Sequence, residues 1–261
     1  MQVLSGAMAA WELWEHALVP TPLAGAGTWL GEIQDTVDIC DSIQNFFWRL
    51  IMDVPESCPK VALRSEPNVT GMKWRIWEAK HILLKQIQQL EDTALAKRVC
   101  KEADDRGWPG LHKEVRDICS KVGLEDMTKV NIPKSKIKEA IYYSHYKSMK
   151  EDIERSSKLE DIKHEDFRKI QPYFMYKSIE NTRLAFRIRT KIVEKIPGNY
   201  KNMYNNNKEG LRCSHRQEQV MTQRHCVTCP GMEELRDGLD LDTMRDMIIY
   251  FRRIMSGRSR K

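Results

Sequence analysis

Three cysteines and two histidines crowd into seventeen residues near the C-terminal end of the chain: Cys213, His215, His225, Cys226 and Cys229. Divalent zinc takes four thiolate or imidazole ligands in a tetrahedron, usually presented as close pairs on tight turns. His225-Cys226-Val227-Thr228-Cys229 offers one such pair, either His225 with Cys229 or Cys226 with Cys229, and Cys213 with His215 offers the other. Gly210 and Pro230-Gly231 supply turns at either end. A redox C-x-x-C at 226–229 needs a helix opening beside a β-α-β framework, and no such framework is legible here. The expected cofactor is zinc, with Cys213, His215 and Cys229 as candidate ligands and either His225 or Cys226 beside Cys229. The other cysteines, Cys40, Cys58, Cys100 and Cys119, lie scattered in helical-looking sequence as small buried hydrophobes. Seven cysteines, an odd number, argue against a disulfide framework and for a reducing compartment, nuclear or cytoplasmic.

Signatures of catalysis are missing. The chain contains no G-x-x-x-x-G-K-[ST], no G-x-S-x-G and no H-E-x-x-H, and His164-Glu165 meets Arg168 where a second histidine is required. Glu102-Ala103-Asp104-Asp105 has an acidic pair, but two metal-binding carboxylates converge only at the tip of an apolar hairpin, and these flanks are lysine-rich and helical. The expectation is a protein without enzymatic activity.

Basic residues interleaved with aromatics are frequent: Lys73-Trp74-Arg75-Ile76-Trp77, Tyr142-Tyr143 ahead of Lys147 and Lys150, and Phe186-Arg187-Ile188-Arg189. Lysine and arginine neutralise phosphates while aromatic faces stack on bases, which makes RNA or DNA the expected partner. Arg183, Arg187 and Lys191 recur at spacings of four, one face of a helix. The residues expected to contact nucleic acid are Lys73, Arg75, Arg183, Arg187, Arg189 and Lys191. The bland alternative is also open: Ile76 and Trp77 fit a core stripe, with the lysines as solvated neighbours. Net charge is +6, yet the first sixty residues carry eight acids against two bases, so the basic character belongs to the rest.

Helical periodicity must position these groups. Thr36–Ile51 repeats apolar residues at Val37, Cys40, Ile43, Phe47, Leu50 and Ile51, read as one buried stripe that stops before Pro55. Further helices are expected over Gly71–Leu90, Asp92–Arg106, Leu111–Val122, Ser135–Ile153 (capped by Ser135), Phe174–Val193 and Asp242–Met255. The charge-dense stretch from Glu151 to Lys169 reads as exposed surface. Pro197-Gly198 and Asn205-Asn206-Asn207 mark a boundary. Period-two alternation is nowhere sustained. The fold class is all-α, a multi-helix bundle followed by a small cysteine/histidine-rich element, with room for a short hairpin, and a terminal helix. The expected parts are 1–125, 126–200 and 201–261. No apolar run approaches the roughly 18 residues of a membrane span, so a membrane partner is not expected.

These residues carry a resemblance. Leu18-Val19-Pro20-Thr21-Pro22-Leu23-Ala24-Gly25-Ala26-Gly27-Thr28-Trp29 is similar to the stretch that follows the palm in non-LTR (LINE-type) retrotransposon reverse transcriptases, with Pro22 and Ala24 in place of a leucine and a tyrosine. Phe46-Phe47-Trp48-Arg49, Val54-Pro55, Ala62-Leu63-Arg64-Ser65-Glu66 and Met72-Lys73-Trp74-Arg75-Ile76-Trp77 look like the helices after it. Cys213 and the run from Thr222 to Gly231 resemble that family's terminal zinc-knuckle-like element. The order is colinear over nearly the whole chain. The resemblance implies a thumb and cysteine-rich tail, with fingers, palm, polymerase aspartates and any endonuclease domain lying upstream of Met1. It carries over Cys213, His225 and Cys229 as ligands and puts Arg216 where a second cysteine is expected, leaving His215 or Cys226 to substitute. It implies a non-catalytic fragment that grips template RNA or target DNA. The alternatives are a helical protein–protein interaction module or a non-functional relic. A thumb without its palm would expose apolar surface near Leu18–Trp29 and self-associate.

Overall fold

Met72, Ile76 and Leu84 recur along one eighteen-residue helix and are all buried, because neighbours cover that helix on more than one side. The computed structural model describes residues 6–29, 34–124, 133–192 and 223–257. These form twelve α-helices and, among the described residues, no strand. In chain order they are α1 (Gly6–Leu13), α2 (Pro20–Leu23), α3 (Gln34–Met52), α4 (Ala62–Ser65), α5 (Met72–Gln89), α6 (Leu95–Asp105), α7 (Leu111–Lys121), α8 (Lys134–Arg155), α9 (Ile179–Arg189), α10 (Gln223–Thr228), α11 (Glu233–Arg236) and α12 (Met244–Gly257). The protein is all-α. Among the described residues no helix is long and apolar enough to cross a membrane.

Helix α5 is the shared element. It packs against α3, α6, α7, α8 and the short 3-10 turn Ala26–Thr28. That turn comes very close: a Cβ on Gly27 would sit 3.0 Å from both the Ala79 carbonyl oxygen and the Leu83 Cβ, so only glycine fits. The main core joins Trp14, Trp48, Met52, Leu63, Phe174, Phe186 and Phe251, and thus draws on chain from both ends. Trp14 stacks on Phe47 at 5.0 Å, and Trp48 meets Phe174 edge-on at 6.3 Å. A second, smaller cluster of Leu84, Leu111, Val115 and Cys119 seats the α6–α7 pair on another side of α5.

Helix ends follow backbone hydrogen bonding more than side-chain capping. Asp53 is left-handed (φ 49°), its N–H donating to the Leu50 carbonyl while the Val54 N–H reaches the Arg49 carbonyl, so α3 is closed before Pro55 is reached. The same closure ends α7 at Gly123 and α9 at Lys191, whose φ is 54°. Ser135 is not the cap of α8; Pro133 stands at its boundary and Ser135 lies in the first turn. The expected helix 174–193 is divided into a 3-10 turn, Pro172–Met175, and α9, with extended backbone at Tyr176 and Ser178. The Thr182 hydroxyl donates to the Tyr173 carbonyl across that break. Residues 223–228, where the sequence leaves room for a hairpin, are helical, and the rest of the expected element up to residue 222 lies outside the described residues.

Two patterns differ more deeply from the sequence reading. The apolar residues of α3 fall on two faces, not one: Cys40, Trp48 and Met52 are buried, whereas Ile39, Ile43, Phe46 and Leu50 are exposed. The stretch 151–169 is not plain surface, since Leu159, Ile162 and Phe167 enter the core.

One polar network crosses that core. Glu66, fully buried after α4, accepts from Arg189 Nε at 2.8 Å, from Arg189 Nη2 at 3.2 Å and from the Tyr173 hydroxyl at 2.6 Å. Arg189 also forks onto Glu165, with Nη1 at 2.9 Å from Oε1 and Nη2 on Oε2. Burial pushes the Glu66 carboxyl up, against the pull of Arg189 and the Tyr173 hydroxyl. Burial opposes the Arg189 charge too, but Glu66 and Glu165 outweigh it and hold the guanidinium above its ordinary value. Removing one partner of a buried pair leaves the other charge uncompensated. Arg189→Ala is expected to lower stability by about 3–5 kcal/mol in urea unfolding, and Glu66→Leu/Arg189→Met by clearly less.

His145 on α8 is a second buried polar group, 4% exposed and 5.8 Å from the Trp74 ring. Burial, with Arg64 and Arg75 nearby, lowers its pKa to about 4, against a backbone hydrogen bond to Val69 that raises it. Between its ordinary value of about 6.5 and about 4, the unfolded chain binds a proton that the folded chain refuses, so stability falls as pH drops through this window. From pH 7 to pH 4.5 the wild type is expected to lose about 2–3 kcal/mol more than His145→Gln, as read by paired denaturant titrations.

Candidate nucleic-acid interface

Lys73, Trp77 and Lys80 stand at spacings of four and three on α5, and Lys113, Asp117 and Lys121 at spacings of four on α7. Because α5 and α7 pack together, both rows line one cleft of about 440 Å³, joined by Trp29 and the Pro109-Gly110 turn. Four lysines face two carboxylates, Glu114 and Asp117. One pair is internal: Lys80 Nζ lies 2.5 Å from Glu114 Oε2, with the Lys80 side chain 8% exposed. Lys73, Lys113 and Lys121 are exposed and form no ion pair among the described residues.

The indoles set where those ammonium groups rest. Lys73 Nζ lies 4.7 Å from the Trp77 ring centre and 5.3 Å from that of Trp74, and Lys121 Nζ lies 5.9 Å from Trp77. Trp74 meets Trp77 edge-on at 4.9 Å. A cation over an indole face gains about 0.5–1 kcal/mol at an exposed site, enough to bias a lysine without immobilising it. Trp29 and Trp77 are both half-buried, each held by its surroundings yet open on the cleft side. Mobile cations beside partly open aromatic rings can neutralise phosphates and stack on flat bases.

Of the six cations singled out by sequence, Lys73 is the one in this cleft. Arg75 donates to the Thr70 carbonyl at 3.0 Å and pairs with Glu15 at 2.6 Å. Arg183 donates to the Ile51 carbonyl at 2.8 Å and to Glu180 at 2.9 Å. Arg187 binds the Asp53 carbonyl and carboxylate. Arg189 is in the core network, and Lys191 pairs with Asp161 at 3.1 Å. Arg183 and Arg187 thus share a face, turned toward the end of α3, while Lys191 lies beyond the end of α9. Lys80, Lys113, Lys121 and the cleft role of Trp29 were not picked out from sequence. The signal for two of them is the 113/117/121 repeat, which gains meaning only once α7 is known to lie against α5.

Of the expected zinc ligands, Cys213 and His215 lie outside the described residues, as does the side chain of His225, whose backbone belongs to α10. Cys229 is 1% exposed and Cys226 fully buried, both in the main core beside Met232 and Tyr250. The Tyr250 hydroxyl donates to the Cys226 carbonyl, and burial, with Cys226 close by, pushes its pKa up to about 12. Among the described residues, no three histidine, cysteine, aspartate or glutamate side chains gather as a metal site.

Comparison with known protein families, with curated proteins and with solved structures finds no match for this chain.

Proposed function

We propose that this chain binds single-stranded RNA or DNA without acting on it chemically, and that the α5–α7 cleft is the contact. The observation that carries the reading is the convergence on one cleft of two half-open indoles and three exposed lysines that form no ion pair among the described residues. The cleft volume suits one or two unpaired bases and not a duplex about 20 Å across, and stacking on an indole needs a base free of its partner. On this reading the chain is the non-catalytic thumb and tail region of a LINE-type reverse transcriptase, in keeping with the colinear motifs from Leu18 to Gly231. The internally bonded Arg183, Arg187 and Arg189 then shape the body that presents the cleft, and Lys73 touches the strand directly.

Anisotropy titrations with labelled single strands test this. Three lysine–phosphate contacts give a log–log salt slope of about −2, so affinity is expected to fall about twentyfold from 50 to 200 mM salt. Lys113→Ala/Lys121→Ala, both on exposed positions, is expected to reduce that slope to about −0.7 while leaving the circular dichroism unchanged. Affinity independent of salt, or a double variant that binds like wild type, overturns the proposal.

We further propose one zinc ion bound by Cys213, His215, His225 and Cys229; its chemistry is structural, closing the tail into a fixed shape. What supports it is the ligand types and their spacing in the sequence. Elemental analysis of purified protein is expected to find about one zinc per chain, lost in Cys213→Ser. Metal-free wild-type protein refolded with zinc and still empty after gel filtration overturns it.

A further inference from the structure

A second cavity, of about 170 Å³, lies between α5 and the start of α8 and shares no lining residue with the α5–α7 cleft. His81 forms part of its wall. That residue is 3% exposed, and its Nε2 is buried with no hydrogen-bond partner among the described residues. A buried polar atom without a partner is unfavourable, and a cavity beside one is a place where a group is missing.

The surroundings say what sign that group has. Lys134 and Lys138, both exposed at the start of α8, line the cavity together with Ser135. Lys85, one turn beyond His81 on α5, is buried and forms no ion pair among the described residues. Burial, and then the Lys134 charge, hold the Lys85 ammonium below its ordinary value. Glu78 also lines the cavity, 4.0 Å from Lys138 Nζ. Three ammonium groups therefore meet one carboxylate. The helix end adds to the imbalance: α8 is 22 residues long, and Pro133 at its boundary supplies no side-chain cap. Its first-turn N–H groups carry the positive end of the helix dipole.

We propose that this cavity binds a phosphate group, as the free ion or as a monoester, with His81 Nε2, the Lys134 and Lys138 ammonium groups and the Ser135 hydroxyl as donors. A tetrahedral oxyanion presents acceptors in several directions at once, which suits donors that come from two helices. Imidazole Nε2 can carry a proton and donate it to one oxygen. A metal cation on the same nitrogen would face three ammonium groups, whereas an anion relieves the repulsion between Lys85 and Lys134.

The proposal does not rest on the nucleic-acid reading, because the two cavities have separate walls and can be altered separately. Thermal unfolding and titration calorimetry of the full chain with sodium phosphate, against sodium chloride of equal ionic strength, test it. Phosphate at tenfold its dissociation constant is expected to raise Tm by about 3 °C. Lys134→Ala/Lys138→Ala, both on exposed helical positions, should keep the circular dichroism and weaken phosphate binding at least tenfold. The imidazole NMR signal of His81, assigned by its absence from His81→Gln, should move with phosphate in wild type and stay still in the double variant. Glycerol phosphate sorts the sources: its binding assigns the site to monoesters, and binding of inorganic phosphate alone assigns it to the free ion. A response to phosphate no larger than to chloride, a double variant that binds like wild type, or an unmoved His81 signal overturns the proposal.

Discussion

The guanidinium of Arg189, forked between Glu66 and Glu165, is the interaction on which the arrangement of helices turns. It gathers the end of α9, the residue after α4 and the irregular segment after α8 onto one charge. A buried ion pair of this kind contributes little net stability over an apolar substitute. Its value is directional: planar, bidentate bonds to two carboxylates admit one placement of α9, where greasy contacts would admit several. The neighbouring ties extend that placement. Arg183 and Arg187 bind backbone carbonyls at the end of α3, and Lys191 reaches Asp161, so α9 is held along its length by bonds to three separate parts of the chain.

Helix α5 has the complementary role. One side completes the main core through Met72, and another, through Leu84, seats the α6–α7 pair. Between those two surfaces runs the Lys73–Trp77–Lys80 row. The cleft exists because two cores share this helix without merging, and the lysines occupy the seam left between them.

The all-α character and most helix positions were legible in the sequence because amphipathic periodicity is local. α5 and α7 fall within a residue of where spacing alone puts them. Which apolar face of α3 is inside was not legible. Both faces carry large side chains, and only partner helices decide between Trp48 and Phe46. Arg183, Arg187 and Arg189 read as open cations for a related reason: Ile51, Asp53 and Glu66 lie more than a hundred residues away in the chain. Lys73 could be named because aromatic neighbours flag it locally. Lys113 and Lys121 have no such neighbour in sequence, and their indole, Trp77, is supplied by another helix.

The left-handed residue Lys191 has an effect beyond closing α9. It turns the backbone so that Ile192, its N–H on the Arg187 carbonyl, is buried in the main core, and the chain re-enters the same core at Cys226. Ile192 and Cys226, thirty-four positions apart, are thus seated in one core, and the loop-closure entropy of bringing them together is met by the folded body.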